Sequence, residues 1–107
     1  MILVTSPDVP GRKIDRVLGL VRGNTIRGRH VGHDVQALFR NMAGGEIKEY
    51  TKMMAEAREQ SIDRMVDEAR TLGADAVVAL RFQTCEIMKG AAEMLCYGTA
   101  VTFCSEE

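Results

Sequence analysis

EIKEYTKMMAEAREQSIDRMVDEARTL, Glu46 to Leu72, is the longest run with helical periodicity in the chain. Apolar or small residues recur at Ile47, Tyr50, Met54, Ala57, Ser61, Met65, Ala69 and Leu72. Steps of three and four put them in one stripe down a helix. Charged residues fill most of the remaining surface. The double glycine Gly44-Gly45 precedes the run, and Gly73 stands just past its end, where glycine commonly stops a helix. At 1.5 Å per residue the helix is about 40 Å long. A helix of that length needs an extended surface to lie on.

Strands on either side supply that surface. Ile2 to Val4 reads as a short strand, and Ser6-Pro7-Asp8 with Pro10-Gly11 marks a turn. Lys13 to Arg27 is rich in Val, Leu and Ile without helical spacing, which predicts a long strand with apolar side chains on both faces. Gly19 and Gly23 interrupt it; glycine inside a strand marks a bulge or the close approach of another backbone. After the turn between Gly28 and Gly32, Asp34 starts a short amphipathic helix carrying Val35, Leu38, Phe39 and Met42. Ala76 to Ile87 and Ala92 to Cys104 form a hairpin about Lys89-Gly90. A two-residue turn there sets Ile87 opposite Ala92 and Phe82 opposite Tyr97. One face then carries Val78, Leu80, Phe82, Leu95, Tyr97, Val101 and Phe103, and this heavier face is expected to receive the long helix. The other carries Val77, Ala79, Arg81, Gln83, Cys85, Met94, Cys96, Ala100 and Cys104, a mixed surface suited to another subunit. A one-residue change in register would exchange these faces.

The 107 residues suit one domain with a modest core. Aromatics are scarce, with three Phe, two Tyr and no Trp, so Met and Ala do much of the packing and oligomerisation is a natural supplement. A net charge of −1 supplies no global field towards nucleic acid or anionic lipid. The first residues lack a charged n-region and an h-region, and no apolar run reaches membrane-spanning length, so neither a signal peptide nor a membrane span is expected. The three cysteines, an odd number, read as free thiols in the cytoplasm.

Several residue groups carry candidate chemistry, each beside a plainer reading. His30-Val31-Gly32-His33 brings two imidazoles close enough to share a metal ion, or two solvent-exposed turn histidines. Cys85, Cys96 and Cys104 share a face in the register above; thiolates there would bind a soft metal, with Met88 or Met94 assisting, whereas thiols would simply pack. Glu56, Glu59, Asp63 and Asp67 line one side of the long helix, as a hard-cation or acid/base site or as a solvated surface. The basic residues Arg12, Lys13, Arg16, Arg22, Arg27 and Arg29 either hold an anion at a subunit junction or balance the acidic helix. No nucleophile-elbow serine is present, and no aromatic interleaving supports binding of single-stranded nucleic acid.

The blocks Val17-Leu18-Gly19-Leu20-Val21-Arg22-Gly23-Asn24-Thr25, Gly44-Gly45-Glu46-Ile47-Lys48-Glu49-Tyr50-Thr51, Leu72-Gly73-Ala74-Asp75-Ala76-Val77-Val78 and Gly98-Thr99-Ala100-Val101 resemble the YbjQ-like family over nearly the whole chain. These are small bacterial and archaeal proteins without an established function, often labelled heavy-metal-binding. The resemblance implies an α+β fold: a dodecin-like β-α-β-β layer with an antiparallel sheet on the long helix. It also implies a ring-shaped homo-oligomer, commonly a pentamer. The family-like blocks contain no Cys or His, so they assign no metal ligand. Within them Arg22, Asn24, Glu46, Glu49 and Tyr50 combine the cation, amide, carboxylate and phenol that a small polar pocket uses. The expected function is therefore a non-enzymatic, self-associating cytoplasmic binding or scaffold protein holding a divalent or soft metal ion, or a small anion, between subunits. Two alternatives remain: a dedicated soft-metal binder using the cysteines or histidines, and an enzyme completed at the subunit interface with Glu46 or Glu49 as acid/base.

Overall fold

A computed structural model describes residues 1–28 and 48–105 of the chain. Its elements are β1 (Ile2–Leu3), β2 (Ile14–Gly28), α1 (Lys48–Thr71), β3 (Ala76–Met88) and β4 (Ala91–Phe103). The short helix expected from Asp34 to Met42, and the start of the long helix at Glu46 and Ile47, lie outside the described residues. The sheet order is β1-β3-β4-β2. β4 is antiparallel to both neighbours, while β1 runs parallel to β3 through Ile2↔Ala76 and Leu3↔Val77. The sheet is therefore mixed rather than antiparallel throughout. The antiparallel expectation came from the three long strands, and β1 is too short to carry a pairing signal. Strands of 13 to 15 residues make the chain elongated, 60 × 23 × 16 Å.

The termini of α1 and of the hairpin follow from glycine. Gly73 adopts φ +80°. Its N–H donates to Arg70 O at 3.0 Å, and the Ala74 N–H donates to Ala69 O at 3.1 Å, which is a Schellman motif. Lys89-Gly90 is the two-residue turn that the sequence predicts, with Met88 opposite Ala91 and Gly90 at φ +84°.

The helix uses the expected stripe: Ala57, Ser61, Met65 and Ala69 are buried, whereas Leu72 at its end is 45 % exposed. Small residues at steps of four let its backbone come close to β2. At Gly23 an added Cβ would lie 2.5 Å from Met65 N and nearer still to Ser61 O. Hydrogen bonds fix this seam. The Ser61 hydroxyl pairs with the Thr25 hydroxyl at 2.9 Å and donates to Met94 O at 3.0 Å, both buried. Arg64 donates to Asn24 O at 2.6 Å, and Arg27 donates to Glu56 at 3.2 Å and Gln60 at 2.9 Å.

Beneath α1 sit Val21, Val77, Leu80, Cys96 and Ala100. This inverts the expected faces: the helix covers the lighter side of the hairpin. Part of the reason is a register break between Val78 and Arg81, where Ala79 takes φ 53°. That bulge reverses the alternation, so Val77 and Leu80 both face the helix. The pairing then becomes Phe82↔Cys96 and Arg81↔Tyr97, and a second break lies between Glu86 and Met88. The other reason is size. A helix backbone this close to β2 needs Gly23, Cys96 and Ala100 beneath it, not Tyr97 and Leu95. At one end of the opposite face, Ala76, Val78, Val101 and Phe103 form a second core under Ile2, Val4, Val9 and Ile14. The segment carrying Val4 and Ser6 clasps the bulge, with Ala79 N–H donating to Ser6 O at 2.8 Å and Leu80 N–H to Val4 O at 3.0 Å.

Candidate functional site

Among the described residues nothing covers the remainder of the face opposite α1. Successive cross-strand rows over β2, β4 and β3 contain Arg22·Tyr97·Arg81, then Asn24·Leu95·Gln83, then Ile26·Glu93·Cys85. Leu20 and Ile26 on its β2 border are each 61 % exposed. Asn24 donates to Glu93 Oε2 at 3.2 Å. Arg81 is held by its Nη1, which donates to Thr5 O and to Leu80 O at 2.8 Å each. Two backbone edges are also open. Among the described residues no strand pairs with the outer edge of β2, or with β3 from Arg81 to Met88.

The structure separates the residues picked out from sequence. Arg22 and Asn24 stand on the uncovered face. Glu49 and Tyr50 belong to the first described turn of α1, beyond the other face of the sheet, and Glu46 lies outside the described residues. Ser61 meets Thr25, so Glu49 lies about 18 Å farther along the helix from that contact, at 1.5 Å per residue. Among the described residues, the α1 positions Glu49 and Tyr50 thus stand apart from Arg22 and Asn24.

The cysteines are also dispersed. Cys85 pairs with Glu93, and Cys96 pairs with Phe82, so the two thiols point to opposite faces instead of one. The two register breaks that bound this part of β3, one at Ala79 and one between Glu86 and Met88, are the cause. Cys85 is exposed. Cys96 is fully buried, donating to Met65 Sδ at 3.5 Å, and desolvation pushes its thiol up to about 11. Burial thus favours its thiol form at neutral pH. Cys104 is half-buried beyond the end of β4, where its N–H donates to Lys13 O at 2.8 Å. His30 and His33 fall outside the described residues. Among the described residues no three of His, Cys, Asp and Glu gather at metal-binding distance. Glu56 is drawn off to Arg27, which leaves Glu59, Asp63 and Asp67 exposed along α1.

A family model described as "Putative heavy-metal-binding" matches residues 1–104. The chain belongs to the YbjQ family. Curated YbjQ relatives carry the name UPF0145 protein. That of Thermosipho melanesiensis is 54 % identical over 101 residues, covering 94 % of each chain. Those of Clostridioides difficile and Archaeoglobus fulgidus are 54 % and 52 % identical, covering 94 % of this chain and 90 % and 94 % of theirs. A crystal structure of a protein of unknown function from Pediococcus pentosaceus, assigned to the DUF74 family, shares the fold. It superposes with a TM-score of 0.61 at 17 % identity, over 97 % of this chain and 98 % of that one. Among the described residues no helix is long and apolar enough to cross a membrane. For the metal in the family description, the described part of one YbjQ chain offers no assembled donor set, because Cys96 is buried in the core and Cys85 lies on the other face of the sheet.

Arg81 and Tyr97 were not singled out as site residues from sequence. Pairing is what sets them beside Arg22, and it depends on the two register breaks of β3. The signal available was the Asp75-Ala76-Val77-Val78-Ala79-Leu80 run, in which apolar residues leave no alternation to follow.

Proposed function

We propose that this YbjQ chain is a non-enzymatic, homo-oligomeric binding or scaffold protein of the cytoplasm. Residues 1–107 act as one dodecin-like domain, and the domains assemble into a pentameric ring that holds a small anion or a metal ion between subunits. The observation that carries self-association is the sheet face, with two open edges, that the described residues leave uncovered. Leu20 and Ile26 at 61 % exposure, beside half-buried Leu95 and Tyr97, make a patch that a lone chain leaves wet. Long strand edges without partners are a hazard in a monomer and an adhesive in an assembly. The radius of gyration, 17.7 Å, exceeds the roughly 13 Å of a compact chain of this length, which fits a part of a larger body. The number five rests on the family resemblance. Sedimentation equilibrium at micromolar concentration tests the assembly: a discrete species near five chains is expected, and a monomer overturns it.

The family description favours a second reading, a soft-metal binder. Its donors are Cys85, Cys104, His30 and His33, with ligands supplied by more than one chain, since thiolate and imidazole suit zinc and copper(I). Elemental analysis after purification, followed by a competition titration with zinc, decides it. A protein that arrives metal-free and competes for none at micromolar chelator is not a metal binder.

A further inference from the structure

We infer that the Arg22·Tyr97·Arg81 row is a binding site for a small, multiply charged anion, of the polycarboxylate or condensed-phosphate class. This rests on the reading of the chain as a binding protein and names the ligand chemistry of its open face. The register sets all three residues side by side on the face that α1 leaves bare. Arg22 is exposed and has no hydrogen bond or ion pair among the described residues. Arg81 donates only from Nη1, to the carbonyls of Thr5 and Leu80, so among the described residues its Nε and Nη2 have no partner. Backbone carbonyls hold this guanidinium without neutralising it, which pre-organises the cation.

The surroundings favour an anion and nothing else charged. The rows on either side contribute Leu20 and Thr99, and Asn24, Leu95 and Gln83, none of them acidic. Along these rows the next carboxylate is Glu93, which accepts from the Asn24 amide. Two strand spacings put the Arg22 and Arg81 Cα atoms about 9.5 Å apart. Arg22, unrestrained by any hydrogen bond or ion pair among the described residues, can turn towards Tyr97, while Arg81 keeps Nη1 on the Thr5 and Leu80 carbonyls and has Nε and Nη2 left to donate, so the two meet two anionic groups of one small molecule. Tyr97 between them supplies a ring surface and a hydroxyl donor, and Thr99 a second hydroxyl. A single monovalent anion would leave one of the cations unmatched.

The test is isothermal titration calorimetry on the full chain at low ionic strength, with pyrophosphate and citrate as separate probes. R22Q, R81Q, Y97F and R58Q are compared, with sedimentation run on every sample. Arg58 is exposed on α1 and serves as the control for net charge. Saturable binding of either probe is expected, weakened at least tenfold in R22Q and in R81Q and unchanged in R58Q. Whichever probe binds more tightly fixes the source class. R22Q alone keeps the question open to refutation if loss of the Thr5 contact unsettles R81Q. No saturable binding, or equal weakening in R58Q and R22Q, overturns the proposal. An assembly that falls apart in R22Q while wild type binds neither probe assigns the row to a protein contact and also overturns it. A wild-type monomer that still binds a probe with this mutational pattern upholds the anion site and removes the ring.

Discussion

Substituting Gly23→Ala tests the tightest contact in the fold. The added Cβ would lie 2.5 Å from Met65 N, 2.9 Å from Arg64 Cβ and closer still to Ser61 O. Two of these are backbone atoms of α1, so no side-chain rotation relieves the clash. The helix has to retreat by roughly 1 Å to restore ordinary contact. Overpacking of this kind costs about 1–3 kcal/mol. Retreat also stretches the buried Ser61 hydrogen bonds to Thr25 and Met94, at about 1 kcal/mol each. The sum is about 3–5 kcal/mol, a large share of the 5–15 kcal/mol typical of a folded domain. At about 4 °C or more per kcal/mol, the melting midpoint falls by more than about 10 °C. Circular dichroism melts and urea titrations read this directly, at equal chain concentration because assembly shifts the midpoint. Gly28→Ala is the comparison: its Cβ would meet Ala91 Cβ at 3.5 Å and Gly90 O at 3.9 Å, ordinary contacts, and its midpoint should stay close to wild type. A G23A protein melting within about 3 °C of wild type would show that α1 does not rest on the β2 backbone, and the reasoning fails.

Ala79→Gly is expected to stabilise the chain by about 0.5–1 kcal/mol, because φ 53° suits glycine and strains alanine; a loss of stability in urea titration refutes it. Ser61→Ala should cost about 1–3 kcal/mol by stranding Thr25 and Met94 O, and the double variant with Thr25→Val should cost less than the two single losses added. Cys96, raised from 9.0 to about 11, keeps its proton in the fold after the unfolded chain has lost it. Its contribution is therefore complete below pH 9 and disappears as pH climbs to 11, a loss on the order of 2 kcal/mol that Cys96→Ala abolishes. An alkaline stability profile identical in wild type and C96A refutes that assignment. Brief alkylation at pH 8 followed by mass spectrometry should label Cys85 and spare Cys96; prompt labelling of Cys96 would place it outside the core.

Much of the architecture is legible from residue patterns, and the failures share one cause. The Ala57-Ser61-Met65-Ala69 stripe, the Gly73 stop and the Lys89-Gly90 turn are local signals, and each is where the sequence puts it. Both interior glycines of β2 also read correctly: Gly19, at φ +124°, sits at a register break, and Gly23 meets the helix backbone. The faces of the hairpin do not read correctly, because Ala79 and the break after Glu86 carry no residue-level signature. A bulge at an alanine between Val78 and Leu80 looks like uninterrupted strand, yet it moves the β3 side chains from there to Glu86 to the other side, until the second break restores the register of the turn. That is why Cys85 and Cys96 seemed to share a face, and why Arg81 and Tyr97 did not.

The same bulge links the fold to the proposed site. An unbroken β3 would turn Arg81 towards α1, into the apolar layer of Met65, Val77 and Cys96, where a guanidinium has no partner. With the bulge, Leu80 takes that buried place and Arg81 comes out beside Tyr97. The cost is a non-glycine residue at positive φ, and it is offset by the Ser6 and Val4 carbonyls that receive the Ala79 and Leu80 N–H groups. The Thr5 carbonyl between them then holds the Arg81 guanidinium. The segment Val4–Ser6 thus stabilises the strained backbone and orients the cation at once. This gives an N-terminal segment with only two paired strand residues a reason to cross β3 where it does. It also means that strain at Ala79 and the Arg22·Tyr97·Arg81 row stand or fall together: a backbone without the bulge would have neither.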